Sequence, residues 1–429
     1  MATRILPPSP FDAAALGLGP VAAFIGMLAA SWILPTGPLT VLLAAVLLLY
    51  LVMSPAAANG AAIRLALPFA LMTIWALALS SGNAGYDIGK DVWYAGKLCL
   101  CLMLGFLLGV RSVESRRALD ALTLLAGVMA LVSIILWFVV GGQVGELTSE
   151  ESTRLPLIGV VAIVPLLDRS RHESGIRRVQ AAALLALILI AVVVSNSRIT
   201  IIASATMILA WAGLFSRTRR ALLGGVVVGI LLALLWQVLP EYAGGELTVA
   251  VKLRRSLEEV LLTDNFDTTQ MILNWRGFEA YNAQLMFDRA SALKKLFGNG
   301  LGATVDLGQE VILSDEASFR YLPILHNGFY YILIKYGVIG VMIYILSVLR
   351  FGLLGKLASN NMSAEDRMLR GLIVIILLAT TVITGLYNKT ELNGLAILLA
   401  WLIGFAQRRR YEETVHSAAA LSRARGSGV

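Results

Sequence analysis

A chain of 429 residues that is 58% hydrophobic and 14% charged, with a mean hydropathy of +0.79, is not an ordinary water-soluble domain of that length. The formal net charge of +8 does not point to nucleic acid, because the basic residues are dispersed over short loops between apolar stretches. Its two cysteines, Cys99 and Cys101, lie one residue apart inside an apolar stretch and so face different sides of a helix, which favours packing over disulfide or metal chemistry.

Each crossing of the hydrocarbon core needs about 20 mostly apolar residues, and on that measure the chain is an all-α polytopic membrane protein of about twelve spans. In chain order they are expected at 12–34, 37–55, 62–80, 92–110, 118–140, 155–167, 179–195, 198–215, 220–239, 324–349, 370–387 and 392–407. The first follows a segment charged only at Arg4 and is longer than a signal-peptide core, so it reads as a retained anchor, with cleavage near Ala30 as the alternative. Basic residues recur in alternate loops: Arg64; Arg111, Arg116 and Arg117; Arg169, Arg171, Arg177 and Arg178; Arg217, Arg219 and Arg220; Arg350, Lys356, Arg367 and Arg370; and Arg408 to Arg410. This positive-inside pattern assigns both termini to the cytoplasm. The opposite loops, such as Gly141 to Thr153 with Glu146, Glu150 and Glu151, face outward.

The organisation expected is nine spans over 1–239, a large outer loop over 240–322, three spans over 323–408, and a basic cytoplasmic tail over 409–429 that ends disordered. A loop that long is expected to be partly helical. VKLRRSLEEVLL at 251–262 reads as an amphipathic interfacial helix, and Trp275, Phe278 and Tyr281 repeat at helical spacing within 274–287. LFGNGLG at 296–302 breaks any helix, and the acidic stretch 306–320 reads as a mobile flap.

Of three histidines, His172 falls in a cytoplasmic loop, His416 in the tail, and His326 at the outer mouth of the tenth span. An imidazole placed there suits a general base, although a histidine at a helix start also serves as a plain hydrogen-bonding residue. Arg198 opens the eighth span after a very short outer turn, where it either snorkels to headgroups or grips a diphosphate with its planar fork. Arg276 lies in the outer loop, where acidic residues outnumber basic ones. Lys97 and Lys335 are secondary candidates, since ionisable groups at membrane depth mark function by default, with snorkelling as the competing reading; Lys389, in the turn between the last two spans, and Asn327, beside the histidine, are further ones. No cluster has metal-ligand spacing and no glycine-rich nucleotide loop follows a strand, so no cofactor is expected. An activated donor on the outer face must carry its own leaving group, and a lipid diphosphate meets that need.

SNSR at 195–198, WRGFEAYNAQLMF at 275–287, LFGNGLG at 296–302 and LHNGFYYILIKYGVIG at 325–340 together resemble the O-antigen ligase and polymerase superfamily, in order and on one membrane face. The resemblance covers the second half of the chain, and size and architecture are nearest to its O-antigen ligases. It implies a GT-C-like fold and an inverting, metal-independent glycosyl transfer from undecaprenyl diphosphate to lipid A-core on the periplasmic face of the bacterial inner membrane. It also implies His326 as general base, with Arg198 and Arg276 on the diphosphate. One departure is LKKLFGNG, where relatives commonly carry a proline before the glycines. A polymerase of the same superfamily is the alternative, and a non-catalytic lipid-linked oligosaccharide transporter a weaker one, because the charges gather at the rim instead of lining a central cavity.

Overall fold

The structure, a computed structural model, describes residues 19–112, 115–139, 155–195, 197–216, 237, 274–314, 317–355, 362–387 and 390–426. The first nine helices are α1 Pro20–Ile33, α2 Thr36–Met53, α3 Ala56–Ala78, α4 Gly85–Arg111, α5 Ser115–Val139, α6 Leu157–Val161, α7 Ile163–His172, α8 Gly175–Ser195 and α9 Arg198–Trp211. After these come α10 Trp275–Arg289, α11 Ala292–Phe297, strands β1 Val305–Ser314 and β2 Ala317–Leu322, α12 Gly328–Leu354, α13 Ala364–Val382 and α14 Thr390–Gly426. Six described helices, α2, α3, α4, α5, α8 and α12, are long and apolar enough to cross a bilayer, so the chain is an α-helical membrane protein. The shorter apolar helices α1 and α9 match the first and eighth expected spans in part. The ninth expected span and the amphipathic helix expected at 251–262 lie outside the described residues, Gln237 apart.

Several boundaries differ from expectation for physical reasons. The sixth segment is two short helices, because Pro165 has no N–H for the Val161 carbonyl one turn earlier. Helix α4 starts at Gly85, well before Val92, since Asp91 is buried among partners inside the protein. The tail expected to be disordered continues α14 through Gly426, with Arg408–Glu412 and Arg409–Glu413 pairs one turn apart along it.

The membrane core forms around α14, whose residues from Leu392 to Ala406 are all buried. It packs in the same direction as α4. A Cβ at Gly105 would come within 2.3 Å of the Ile397 carbonyl oxygen, and one at Gly109 within 2.2 Å of that of Trp401. In lipid, where there is little hydrophobic drive between helices, such small-residue contacts let backbones pack directly. Trp401 stacks on Phe24 at 4.6 Å and donates from Nε1 to Ser112 Oγ at 2.9 Å.

Helix α12 is broken at Gly337, where φ is 69° and ψ is −174°. The break frees the carbonyls of Ile334 and Lys335, which the glycine-rich turn then occupies. Asn299 N donates to Ile334 O at 2.8 Å, and Gly300 N to Lys335 O at 3.2 Å. The turn also reaches the α3–α4 corner, where Leu301 N donates to Ala76 O at 3.2 Å and Asn83 Nδ2 to Leu301 O at 2.7 Å.

The stretch expected as a mobile flap forms an antiparallel hairpin, a small exception to an all-helical protein. Leu307, Val311 and Leu322 bury one face against Phe278, with Trp275 at the edge, which gives the segment a core of its own. Arg320 pairs with Asp306 across the strands at 3.0 Å, and that guanidinium, with the Gly308 N–H, holds the Asp306 carboxyl below the usual carboxylate range.

A Cβ at Gly298 would lie 2.3 Å from Lys335 O, and one at Gly337 2.2 Å from Leu296 O, both at positive φ. Backbone on both sides leaves no room to yield. Gly337→Ala is therefore expected to cost about 2 kcal/mol or more and to lower the unfolding temperature in detergent, while an alanine at Gly308, where nothing lies within 4 Å, is strained only by its backbone angle.

Candidate functional site

Helix α10 begins at an Asn274 cap, whose Oδ1 accepts from Gly277 N at 3.2 Å. Within its first turn and a half come Arg276 and Glu279, three residues apart and thus on adjoining faces. Glu279 is buried, with its side chain 2% exposed, and its partner is His326. The carboxylate accepts from the His326 backbone N–H at 2.9 Å and lies 3.0 Å from Nδ1 through both oxygens. A second tie between the same elements runs from Tyr330 Oη to Gln284 Oε1 at 3.3 Å.

The imidazole itself is 43% exposed. A carboxylate that is ionised only accepts hydrogen bonds, and on that footing we assign the proton to Nδ1, which leaves the Nε2 lone pair available. A base whose second nitrogen is fixed by a buried carboxylate has one tautomer and one orientation, which is the geometry general-base chemistry needs. Asn327 has a separate task. Its Oδ1 caps α12, accepting from Phe329 N at 3.0 Å and Tyr330 N at 3.3 Å.

Arg276 is half-buried, one turn before the carboxylate that holds His326. Arg198 is the first residue of α9, also half-buried. Its level is set by the packing of α9 on α13. Gly371 meets Met207 and Ala210, and Arg370 donates to Phe215 O at 2.7 Å, so the two helices run antiparallel. The start of α9 therefore lies level with the end of α13, where Ile383 O accepts from Gly328 N at 3.1 Å. Arg198, Arg276 and His326 thus emerge at one end of the bundle, with Arg276 and His326 linked through Glu279.

The lysines are disposed otherwise. Lys335 is fully buried against Asp91, which also accepts from Tyr331 Oη at 2.7 Å and from Gly302 N at 2.6 Å. Its ammonium lies 4.6 Å from the centre of the Tyr331 ring. This cluster ties α4, α12 and the glycine turn together, and Lys335 is committed to it. Lys97 is 1% exposed, lies 5.1 Å from the centre of the Tyr94 ring, and has no hydrogen-bond partner among the described residues. Twelve residues into α4, it sits about 18 Å along the helix from its start, well below the rim. Lys389 lies outside the described residues. Cys99 and Cys101 are free thiols packed between helices.

Two site residues, Glu279 and Asp91, were not singled out by the sequence. Glu279 carries a weak signal, as a lone acid on the aromatic face of a loop helix three residues after Arg276. Asp91 carries none without its partner, because Lys335 belongs to a distant segment.

The tautomer is directly measurable. Nitrogen-15 spectra of His326 at neutral pH are expected to show the Nδ1–H form, and Glu279→Gln, whose amide also donates, should populate both forms. Predominance of Nε2–H in the unaltered protein would contradict this assignment.

Compared with known proteins, the chain matches no family model and no curated sequence.

Proposed function

We propose that the protein is a glycosyltransferase of the O-antigen ligase kind, moving a glycan from undecaprenyl diphosphate to a sugar hydroxyl of lipid A-core. The observation that carries the reading is the Glu279–His326 pair at the rim of the bundle, with Arg276 one helical turn from the carboxylate. The motifs shared with the O-antigen ligase and polymerase superfamily supply the substrate class.

In this reading, the acceptor hydroxyl gives its proton to His326 Nε2 as its oxygen attacks the anomeric carbon. The bond from that carbon to the diphosphate breaks on the opposite side, and its electron pair leaves with the lipid diphosphate. Attack opposite the leaving group inverts the anomeric centre. Glu279 stabilises the imidazolium that forms and keeps the ring aimed. Arg276 and Arg198 meet the negative charge growing on the diphosphate oxygens, a task well suited to the guanidinium fork. Siting the groups at a helix rim lets the isoprenoid tail stay in the bilayer while the glycan projects into water. The rim is then the periplasmic face of a bacterial inner membrane, and both termini are cytoplasmic, in keeping with the loop charges.

The test is reconstitution of purified protein with undecaprenyl-diphosphate glycan and lipid A-core, without nucleotide and with excess chelator. A glycan ladder on lipid A-core is expected. Lengthened lipid-linked glycan alone would identify a polymerase, and no covalent product would overturn the enzymatic reading. His326→Ala is expected to lower turnover by about 10²- to 10⁴-fold while the protein stays folded. Glu279→Gln should lower kcat with little change in KM, as befits a residue that positions the base.

A further inference from the structure

Away from the rim, a groove of ≈ 670 Å³ runs between α3 and α12 on the surface of the bundle. The two helices are antiparallel: Gly340 lies against Met72, and the Phe69 ring is 6.2 Å from that of Phe351. Leu67, Leu71, Ile74 and Ile343 make an apolar wall, and Arg64 and Arg350 both line the groove, toward the same end by the antiparallel register of the two helices. That end is opposite His326, because Arg350 lies in the last turns of the helix that His326 precedes. Pro68 adds a polar notch, having no N–H for the Arg64 carbonyl.

Both guanidiniums are exposed, and among the described residues neither has a hydrogen-bond or ion-pair partner. Arg64 reaches back one turn along α3, its Nη1 3.8 Å from where a Cβ on Gly60 would stand. Two exposed cations at the edge of an apolar groove, with no anionic partner among the described residues, suit an anionic headgroup. At the other end the groove is closed by Trp75, whose Nε1 donates to Phe297 O at 3.3 Å.

We propose that this groove binds one anionic glycerophospholipid of the leaflet opposite His326, its phosphate held by Arg64 and Arg350 and an acyl chain lying along α3 to Trp75. The dimensions select this occupant. From Arg64 to Trp75 is eleven residues, about 16 Å of helix, close to the roughly 15 Å of one leaflet's hydrocarbon. A long isoprenoid would overrun it. A zwitterionic headgroup brings its own cation to the site, whereas phosphatidylglycerol leaves its negative charge for the paired guanidiniums, which bind phosphate as forks. The site is independent of the chemistry proposed at His326.

Native mass spectrometry of the delipidated protein, offered phosphatidylglycerol or phosphatidylcholine in neutral detergent, tests the assignment. The unaltered protein is expected to retain one phosphatidylglycerol at least tenfold more strongly than phosphatidylcholine. The Arg64→Gln, Arg350→Gln double variant should lose that preference. Leu71→Trp, which fills the groove and leaves both arginines, should weaken retention as well. Inorganic phosphate at millimolar concentration should not displace the lipid. Equal retention of the two lipids, unchanged retention in the double variant, unchanged retention in Leu71→Trp, or displacement by phosphate would each overturn the proposal.

Discussion

The break in α12 is the constraint on which the His326 end of this protein depends. A helix interrupted inside lipid exposes carbonyls that have no water to turn to, and such groups cost several kcal/mol each when left alone. Here the carbonyls of Ile334 and Lys335 are taken by N–H groups of the glycine turn. The turn can come that close only because Gly298 and Gly337 present no Cβ to each other's backbone. The glycine turn at 298–302 is thereby stitched into the membrane domain several residues along α12 from His326. One consequence is that the first part of α12, from its Asn327 cap to the break, is held as a short rigid rod.

A second anchor works through charge. Asp91 neutralises Lys335 and accepts from Tyr331 and Gly302 as well, so the buried carboxylate has hydrogen bonds on both oxygens. Burying an ion pair gives little net stability in general, but it makes any other register of these elements expensive, because a displaced partner leaves a charge unpaired. Together the turn and the ion pair fix α12, while the hairpin core around Phe278 seats α10. The Glu279–His326 pair joins these two independently fixed elements. The exposed imidazole inherits its orientation from the loop on one side and the membrane helix on the other.

How legible was this in the sequence? The apolar stretches located most of the described membrane helices because hydrophobic length is a local property, and the three glycines at 298, 300 and 302 announced a turn for the same reason. What the turn inserts into was not legible, since the freed carbonyls arise only when α12 breaks. The hairpin at 305–322 was hidden by its charged residues: the apolar positions Leu307, Val311 and Leu322 are too few to outweigh them until Phe278 supplies the facing surface. His326 and Arg276 could be singled out by placement at a rim and in a loop. Their connection could not, because Glu279 is a link between segments distant in the chain. The continuation of α14 through the basic tail was missed because composition argued against it, while one-turn Arg–Glu pairs support it.

The end of the bundle bearing His326 holds the imidazole, its buried carboxylate and the half-buried Arg198 and Arg276, and Arg64 and Arg350 lie toward the other end. Whether the rim groups form one reacting centre is tested most directly by a cryo-electron microscopy structure with undecaprenyl-diphosphate glycan bound. The diphosphate is expected within hydrogen-bond distance of both Arg198 and Arg276, with His326 Nε2 facing the side of the anomeric carbon away from the leaving group. A diphosphate seated away from both arginines, or an imidazole turned from the anomeric carbon, would contradict a single centre.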